Sequence, residues 1–265
     1  MTLTDHARLW SDGAGGRVRS LARAELLLLW RNRMTLLHVL FTPVAFVALL
    51  ASANTGDGAL ALTALFGFLL LSTVYHPLVS TYVARRESLV LKRLRVGELT
   101  DGEILAGAAV PVVLVGLAQA VLAVGAGALL LGLPTPVNPP LLLLGMAGGL
   151  VLFTVLAAAS AAFTATVELA QITTLPVLLA CMLGSGLMLP RESLPGPVAA
   201  VAEYLPLTPV VELLRLGWLG TADDGAPADF AGTTGAAGLP VVILAAWVML
   251  AVGAVRRRFR WEPRS

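Results

Sequence analysis

RRESLVLKRLRVGELTDGE, residues 85–103, is a block of charge set between two long apolar runs. Arg85, Arg86, Lys92, Arg93 and Arg95 all fall in it, although the whole chain of 265 residues has only 18 lysines and arginines. The flanks decide the fold. Residues 59–84 before the block and 104–133 after it each exceed the ~20 residues that a helix needs to cross ~30 Å of hydrocarbon. Comparable segments lie at 34–53, 141–167, 172–189 and 239–255. The fold class predicted is an all-α polytopic membrane protein with six transmembrane helices. Composition agrees: 57% of residues are hydrophobic, 13% are charged and the mean hydropathy is +0.86. A soluble domain carries roughly 25% charged residues.

The cations sort by side. With the N-terminus inside, Arg8, Arg17, Arg19, Arg23, Arg31 and Arg33 precede the first span, and the block at 85–103 follows the second. Arg256, Arg257, Arg258, Arg260 and Arg264 follow the last, while only Arg191 and Arg215 fall outside. This obeys the positive-inside rule and predicts two cytoplasmic termini. The fourth-to-fifth connection is weakly marked, having Glu168 and no cation. A preference for Arg over Lys, with abundant Ala, Gly and Leu, points to a high-GC bacterium and its cytoplasmic membrane. The chain divides into a cytoplasmic tail with an interfacial helix (1–33), a transmembrane region (34–255) and a basic cytoplasmic tail (256–265). Within the transmembrane region, 85–103 is a cytoplasmic loop and 190–237 an outer segment.

In Arg17–Arg33, Val18, Leu21, Ala22, Leu28 and Leu29 gather on one side at helical spacing, interrupted by Glu25. This reads as an amphipathic helix in the inner interface with Trp30 at headgroup depth, or as a basic juxtamembrane tail. Asp5, Asp12 and Glu25, without an apolar core, do not read as a cleavable signal peptide. Pro43, Pro77, Pro111 and Pro176 fall inside spans and predict kinks. Gly125, Gly127, Gly145-x-x-x-Gly149 and the run Ala157–Ala162 allow helices to approach closely.

Several chemistries lack their residues. There is no G-x-x-x-x-G-K-[ST] loop, so ATP is not hydrolysed here by that route. His6, His38 and His76 have no metal-ligand spacing, and Gly184-Ser185-Gly186 is too short for a nucleophile elbow. Cys181, the one cysteine, excludes an intrachain disulfide. No catalytic residue, bound cofactor or metal is expected, and no nucleic-acid partner. At membrane depth the strongest polar groups are His76, Gln119 and His38; Glu168 sits at a helix end. Without intramembrane carboxylates, a proton- or sodium-driven carrier lacks its usual machinery. His76, beside Pro77, is either a kink residue hydrogen-bonded to a neighbour or a cavity-lining group. Read as a helix, the charge block puts Val90, Leu91 and Leu94 on one face, with Arg85 near Lys92 and Arg86 near Arg93 on another. Such a helix suits docking into a groove on a soluble partner, or anchoring on anionic lipid. Composition leaves both open.

Arg85-Arg86-Glu87, then Leu91-Lys92-Arg93-Leu94-Arg95, then Glu98-Leu99-Thr100 entering Ile104-Leu105-Ala106-Gly107, resembles the first cytoplasmic loop of ABC transporter permeases of the type-2 exporter class. The family commonly continues with Thr-Pro, where this chain has Gly97-Glu98-Leu99-Thr100. A second likeness follows the fifth span: Leu189-Pro190-Arg191-Glu192-Ser193-Leu194-Pro195, then Leu205-Pro206-Leu207-Thr208-Pro209, then Glu212-Leu213-Leu214-Arg215. The resemblance implies that Arg85, Arg86, Glu87, Leu91, Lys92, Arg93, Leu94, Arg95 and Glu98 form a coupling helix against an ATPase. It implies a re-entrant outer gate carrying Pro190, Pro195, Pro206, Pro209, Glu212 and Arg215. The residues agree, since 198–219 is too broken to span and too apolar for a solvated loop. The acidic stretch Ala222–Phe230 reads as an exposed outer loop.

The resemblance further implies a transport subunit, not an enzyme, paired with a second copy of itself and two ABC ATP-binding subunits that carry ATP and Mg. Its surroundings are membrane lipids and its substrate is hydrophobic or amphipathic, such as a drug, a lipid or a polysaccharide precursor. The second and fifth spans would line the pathway, with Thr73, His76, Thr173, Thr174 and Met182 near the substrate. The rival readings are an ATPase-independent membrane scaffold and, behind it, an ion-coupled carrier.

Overall fold

A computed structural model describes residues 33–52, 58–88, 100–187, 194–221 and 226–258. All secondary structure among them is helical. The expected interfacial helix and Trp30 lie outside the described residues. The first helix, α1 (Arg33–Ser52), precedes a long rod made of α2 (Gly58–Leu69), a π turn (Leu70–Tyr75) and α3 (His76–Glu87). Then come α4 (Asp101–Leu130), α5 (Pro139–Phe163), α6 (Val167–Thr173) and α7 (Leu175–Gly184). The short helices α8 (Gly196–Ala202), α9 (Thr208–Leu219) and α10 (Phe230–Ala236) lead into α11 (Gly238–Arg258). Five described stretches are long and apolar enough to cross a membrane: 61–87, 102–130, 139–163, 167–184 and 238–258. In α1 the described apolar stretch is the shorter Leu40–Leu49.

Helix boundaries follow capping more closely than hydropathy. α4 starts at Asp101, ahead of the expected 104, because Thr100 and Glu103 form a capping box. The Thr100 N–H donates to Glu103 Oε2 at 2.7 Å, and the Glu103 N–H donates to Thr100 Oγ1 at 3.4 Å. α5 begins at Pro139, where Asn138 accepts from the Leu141 N–H and the prolines occupy positions that need no N–H. It ends at Phe163 rather than 167, with Thr164 extended. The fifth crossing starts at Val167, not 172, since Thr166 caps it, and it ends at Gly184, not 189. Thr174 interrupts it, just ahead of Pro176. The second crossing does not stop at Ala84: α3 runs on through Arg85 and Arg86 to Glu87.

The core forms around the rod and α5. The rod is the most buried of the five crossings, and Tyr75 meets Phe153 of α5 edge-on with ring centroids 6.0 Å apart. Small residues on α5 set its neighbours' distances. A Cβ on Gly149 would stand 2.8 Å from Leu70 and 2.9 Å from Val210, and one on Gly145 would stand 3.1 Å from Leu213. One on Gly148 would stand 2.6 Å from Leu244 of α11. Without a hydrophobic drive between helices in lipid, such close packing is what holds them. The contacts of α9 with α5 run Gly217 to Leu142, Leu213 to Gly145 and Val210 to Gly149, so the two helices are antiparallel. Val210 therefore lies beside a point ~15 Å along α5 from its first residue. Gly220, at φ +82°, ends α9 in a left-handed turn that a side chain would strain.

Gly217 makes the tightest of these contacts, because its missing Cβ would stand 2.5 Å from the Leu142 backbone nitrogen. Backbone cannot give way there. Gly217→Val is expected to cost about 1–3 kcal/mol in thermal unfolding of the detergent-solubilised chain. Gly125→Val, with nothing within 4 Å, is expected to be near neutral.

Candidate functional site

The charge block is described as far as Ser88 and again from Thr100, so Leu91, Lys92, Arg93, Leu94, Arg95 and Glu98 lie outside the described residues. Where the second crossing enters the block, three consecutive charged residues part company. Glu87 is exposed, Arg85 is half-buried and Arg86 is fully buried. The sequence reading turned Arg86 toward a partner; its side chain points into the fold instead. Arg86 Nη1 donates to the Ala161 carbonyl at 2.9 Å, and Nη2 donates to the carbonyls of Thr164 and, at 3.1 Å, Ala165. These carbonyls belong to the last turn of α5 and the link after it. A helix C-terminus leaves such carbonyls without N–H partners and carries the negative end of the helix dipole. The guanidinium answers both. It is a cationic cap supplied from another crossing.

The same end of the bundle is fastened twice more. Tyr82, one turn before Arg86, donates from its hydroxyl to the Leu105 carbonyl of α4 at 3.1 Å. Thr164 donates to the Ser160 carbonyl at 3.0 Å and pairs with Thr173 of α6 at 2.9 Å. The second, third, fourth and fifth crossings are thus tied together directly beneath the charge block.

Deeper in the rod, the π turn has a local cause. Pro77 has no N–H, and its ring would press on the carbonyl four residues back, that of Thr73. The rod widens just before it, and the His76 N–H bonds to the Leu71 carbonyl, five residues back. π turns inside α-helices are frequent at functional sites. Here the wider turn directs polar side chains to three different helices. Thr73 donates to Gln119 Oε1 of α4 at 2.8 Å, and Tyr75 pairs with Ser160 of α5 at 2.9 Å. His76 Nδ1 meets Thr174 Oγ1, at the α6–α7 break, at 3.0 Å. Of the five predicted pathway residues, Thr73, His76 and Thr174 belong to this network; Thr173 pairs with Thr164, and Met182 packs on the core. Gln119 is fully buried, and its Nε2 has no hydrogen-bond partner among the described residues. Such orphaned groups are rare in native interiors.

At the opposite end, Pro206 and Pro209 are buried and Pro195 starts α8, while Pro190 is outside the described residues. Arg215 and Glu212 are half-buried on α9. Arg215 donates to the Gly186 carbonyl at 2.7 Å, and Thr208 donates to Ser185 at 3.0 Å and to the Ala202 carbonyl at 2.6 Å. The Trp218 indole donates to the Pro134 carbonyl at 3.0 Å. Asn138 holds α10 through Thr233 and Thr234, each at 3.0 Å. Tyr82, Ser160 and Asn138 were missed as tethers in the sequence. Only Asn138 carried a signal, as a cap residue directly before two prolines. A cavity of about 20 Å³ between Leu62, Phe66, Met146, Leu214 and Trp218 has room for about one water.

Arg86→Ala is expected to remove the cap and leave buried carbonyls unanswered, costing about 3 kcal/mol in thermal unfolding of the chain alone. Glu87→Ala, one residue on and exposed, is expected to stay within about 0.5 kcal/mol. Equal effects would show that the buried cap contributes nothing.

A family model described as ABC-2 type transporter matches residues 17–218. None of the curated proteins compared with the chain matches it significantly. The matched residues take in the charge block, the rod with its π turn, α4 to α8 and nearly all of α9. The chain belongs to the ABC-2 type transporter family and is a multi-pass membrane permease of an ABC transporter.

Proposed function

We propose that this permease works as the six-span half of an exporter. It pairs with a second copy of itself and with two ATP-binding subunits that hold ATP and Mg, in a bacterial cytoplasmic membrane. Both termini face the cytoplasm, and residues 1–33 end in an amphipathic helix on the inner interface. The part of the charge block that joins α3 to α4 carries the coupling contact, and Lys92, Arg93 and Arg95 face the ATPase. Arg86 belongs to the lever rather than to the contact.

The observation that carries this reading is the rigid tie under the block. A push on the coupling helix reaches α3 at once, and through Tyr82 and Arg86 it reaches α4, α5 and α6. The same rod carries the π turn and its three polar links. Opening and closing of the ATPase pair then biases the bundle between two arrangements, which is a population shift driven by differential binding. Breaking one side-chain hydrogen bond costs only about 1 kcal/mol, so the network is weak enough to exchange partners.

The pathway lies between two copies. Among the described residues, the one-water cavity beside Trp218 is too small for a drug-sized molecule, which needs roughly 300 Å³ or more. Meanwhile α6 and α7 expose Leu169, Ile172, Leu175, Leu179 and Leu183. An apolar lining of this kind suits a hydrophobic or amphipathic substrate. At the far end α8 and α9, with 7 and 12 residues, are too short to cross, and we read 190–237 as a re-entrant gate that dips along α5 and returns.

The test is co-purification with a candidate ABC ATP-binding subunit from the same genome, followed by ATP turnover in proteoliposomes. Lys92→Glu with Arg93→Glu is expected to abolish co-purification, with the permease still folded. Gln119→Leu is expected to keep the ATPase bound and to lose substrate-stimulated turnover. Retained binding and substrate-stimulated turnover in the charge-reversed protein would show that the docking assignment to the charge block is wrong.

A further inference from the structure

At the end of the bundle where Arg86 lies, an open groove of about 690 Å³ runs between the last residue of α5 and the final turns of α11. Its walls are Phe163 of α5 with Met249, Leu250 and Gly253 of α11, and Arg257 and Arg258 stand at its mouth. Phe163, Met249 and Leu250 are 57%, 68% and 66% exposed. On α11 the lining positions 246, 249, 250, 253, 254 and 257 recur at three- and four-residue intervals, so they form one stripe along the helix. The stripe is apolar until it reaches the two arginines.

Its dimensions narrow the occupant. From Ala246 to Arg257 the stripe rises ~16 Å, which matches the ~15 Å of hydrocarbon in one leaflet. Gly253 opens the middle of the groove: a Cβ placed there would meet nothing within 4 Å. Arg257 and Arg258 are both exposed, so their guanidinium groups are open to a ligand. An apolar channel one leaflet deep, ending in two exposed arginines, is complementary to an amphiphile with a long chain and an anionic head. A zwitterionic lipid fills the channel equally well but gains less at the mouth. Arg256 is also exposed yet does not line the groove, so the charge is placed rather than merely present.

We propose that the α5–α11 groove is a binding site for one anionic phospholipid of the adjoining leaflet. The acyl chain lies along Met249, Leu250 and Gly253, and the phosphate bonds Arg257 and Arg258. The site does not depend on the ATPase or on the transport direction. It depends only on the chain spanning a membrane.

The experiment uses the full chain, delipidated in mild detergent, with native mass spectrometry after addition of phosphatidylglycerol or phosphatidylcholine. One phosphatidylglycerol is expected to be retained in preference to phosphatidylcholine. Arg257→Ala and Arg258→Ala are each expected to weaken its retention by about fivefold, the effect of one cation near an anionic surface. Arg256→Ala is expected to leave it unchanged, and Arg257→Lys to keep most of it, which guards against misfolding as the cause. Gly253→Trp keeps every charge and fills the channel, so it is expected to expel the lipid. Equal retention of both lipids, an equal loss with Arg256→Ala, or full retention with Gly253→Trp would each overturn the proposal.

Discussion

A guanidinium with no water around it must find its partners inside the protein, and Arg86 finds them at the end of another helix. Burying an unpaired charge in an apolar interior costs several kcal/mol, so Arg86 is tolerable only where acceptors converge on it. The last turn of α5 and the link after it supply them, as carbonyls that would otherwise be orphans. Each side resolves the other's deficit. The second crossing therefore cannot slide or turn relative to the fourth without exposing both. The sharp link from α5 into α6 is held from the same point, because Thr164, whose carbonyl accepts from Arg86, also pairs with Thr173.

From that fixed end the bundle grades into looser chemistry. The tie beneath the charge block centres on a buried guanidinium that donates to backbone carbonyls. The π-turn network is made of single side-chain hydrogen bonds, and Gln119 keeps a donor within it that is unanswered among the described residues. Stiffness close to the block and exchangeable bonds deeper in suit a structure that receives a push at one end and rearranges further along. At the other end the packing tightens again. There the glycines of α5 and α9 bring helix backbones together, and Asn138 and Trp218 close the loops.

How legible this was depended on the physics of each feature. Hydrophobic length acts over about twenty residues, so five of the six apolar segments drawn from sequence recur as helical stretches long enough to cross a membrane. Their edges could not be placed the same way, because capping is decided by single side chains: Thr100 and Glu103 extend α4 outward, and Thr164 ends α5 early. Pro77 announced a disturbance in the second crossing, yet nothing nearby said that it would widen the helix and aim Thr73, Tyr75 and His76 at separate partners. Arg86 was the least legible residue. Within a run of cations it looks like its neighbours, and what sets it apart is Ala161, 75 positions away. The stretch around Pro206 and Pro209 reads in sequence as broken, and its helices of 7 and 12 residues are too short to cross a membrane. Its antiparallel seat on α5 depended on glycines whose partners the sequence does not name.

The π turn also fixes phase along the second crossing. It holds one residue more than the α-helix around it, and a residue in an α-helix corresponds to a rotation of ~100° and a rise of ~1.5 Å. The inserted residue therefore sets the azimuth of α3 against α2. Relaxing the turn to plain α-helix with α2 held still would swing Arg86 about a quarter of the way round the axis, out of reach of α5. Holding Arg86 still would instead swing Leu70 away from Gly149. The two halves of the rod are indexed to the same neighbour by different contacts, like a key cut on both edges. Any motion that crosses the turn has to disengage one edge first.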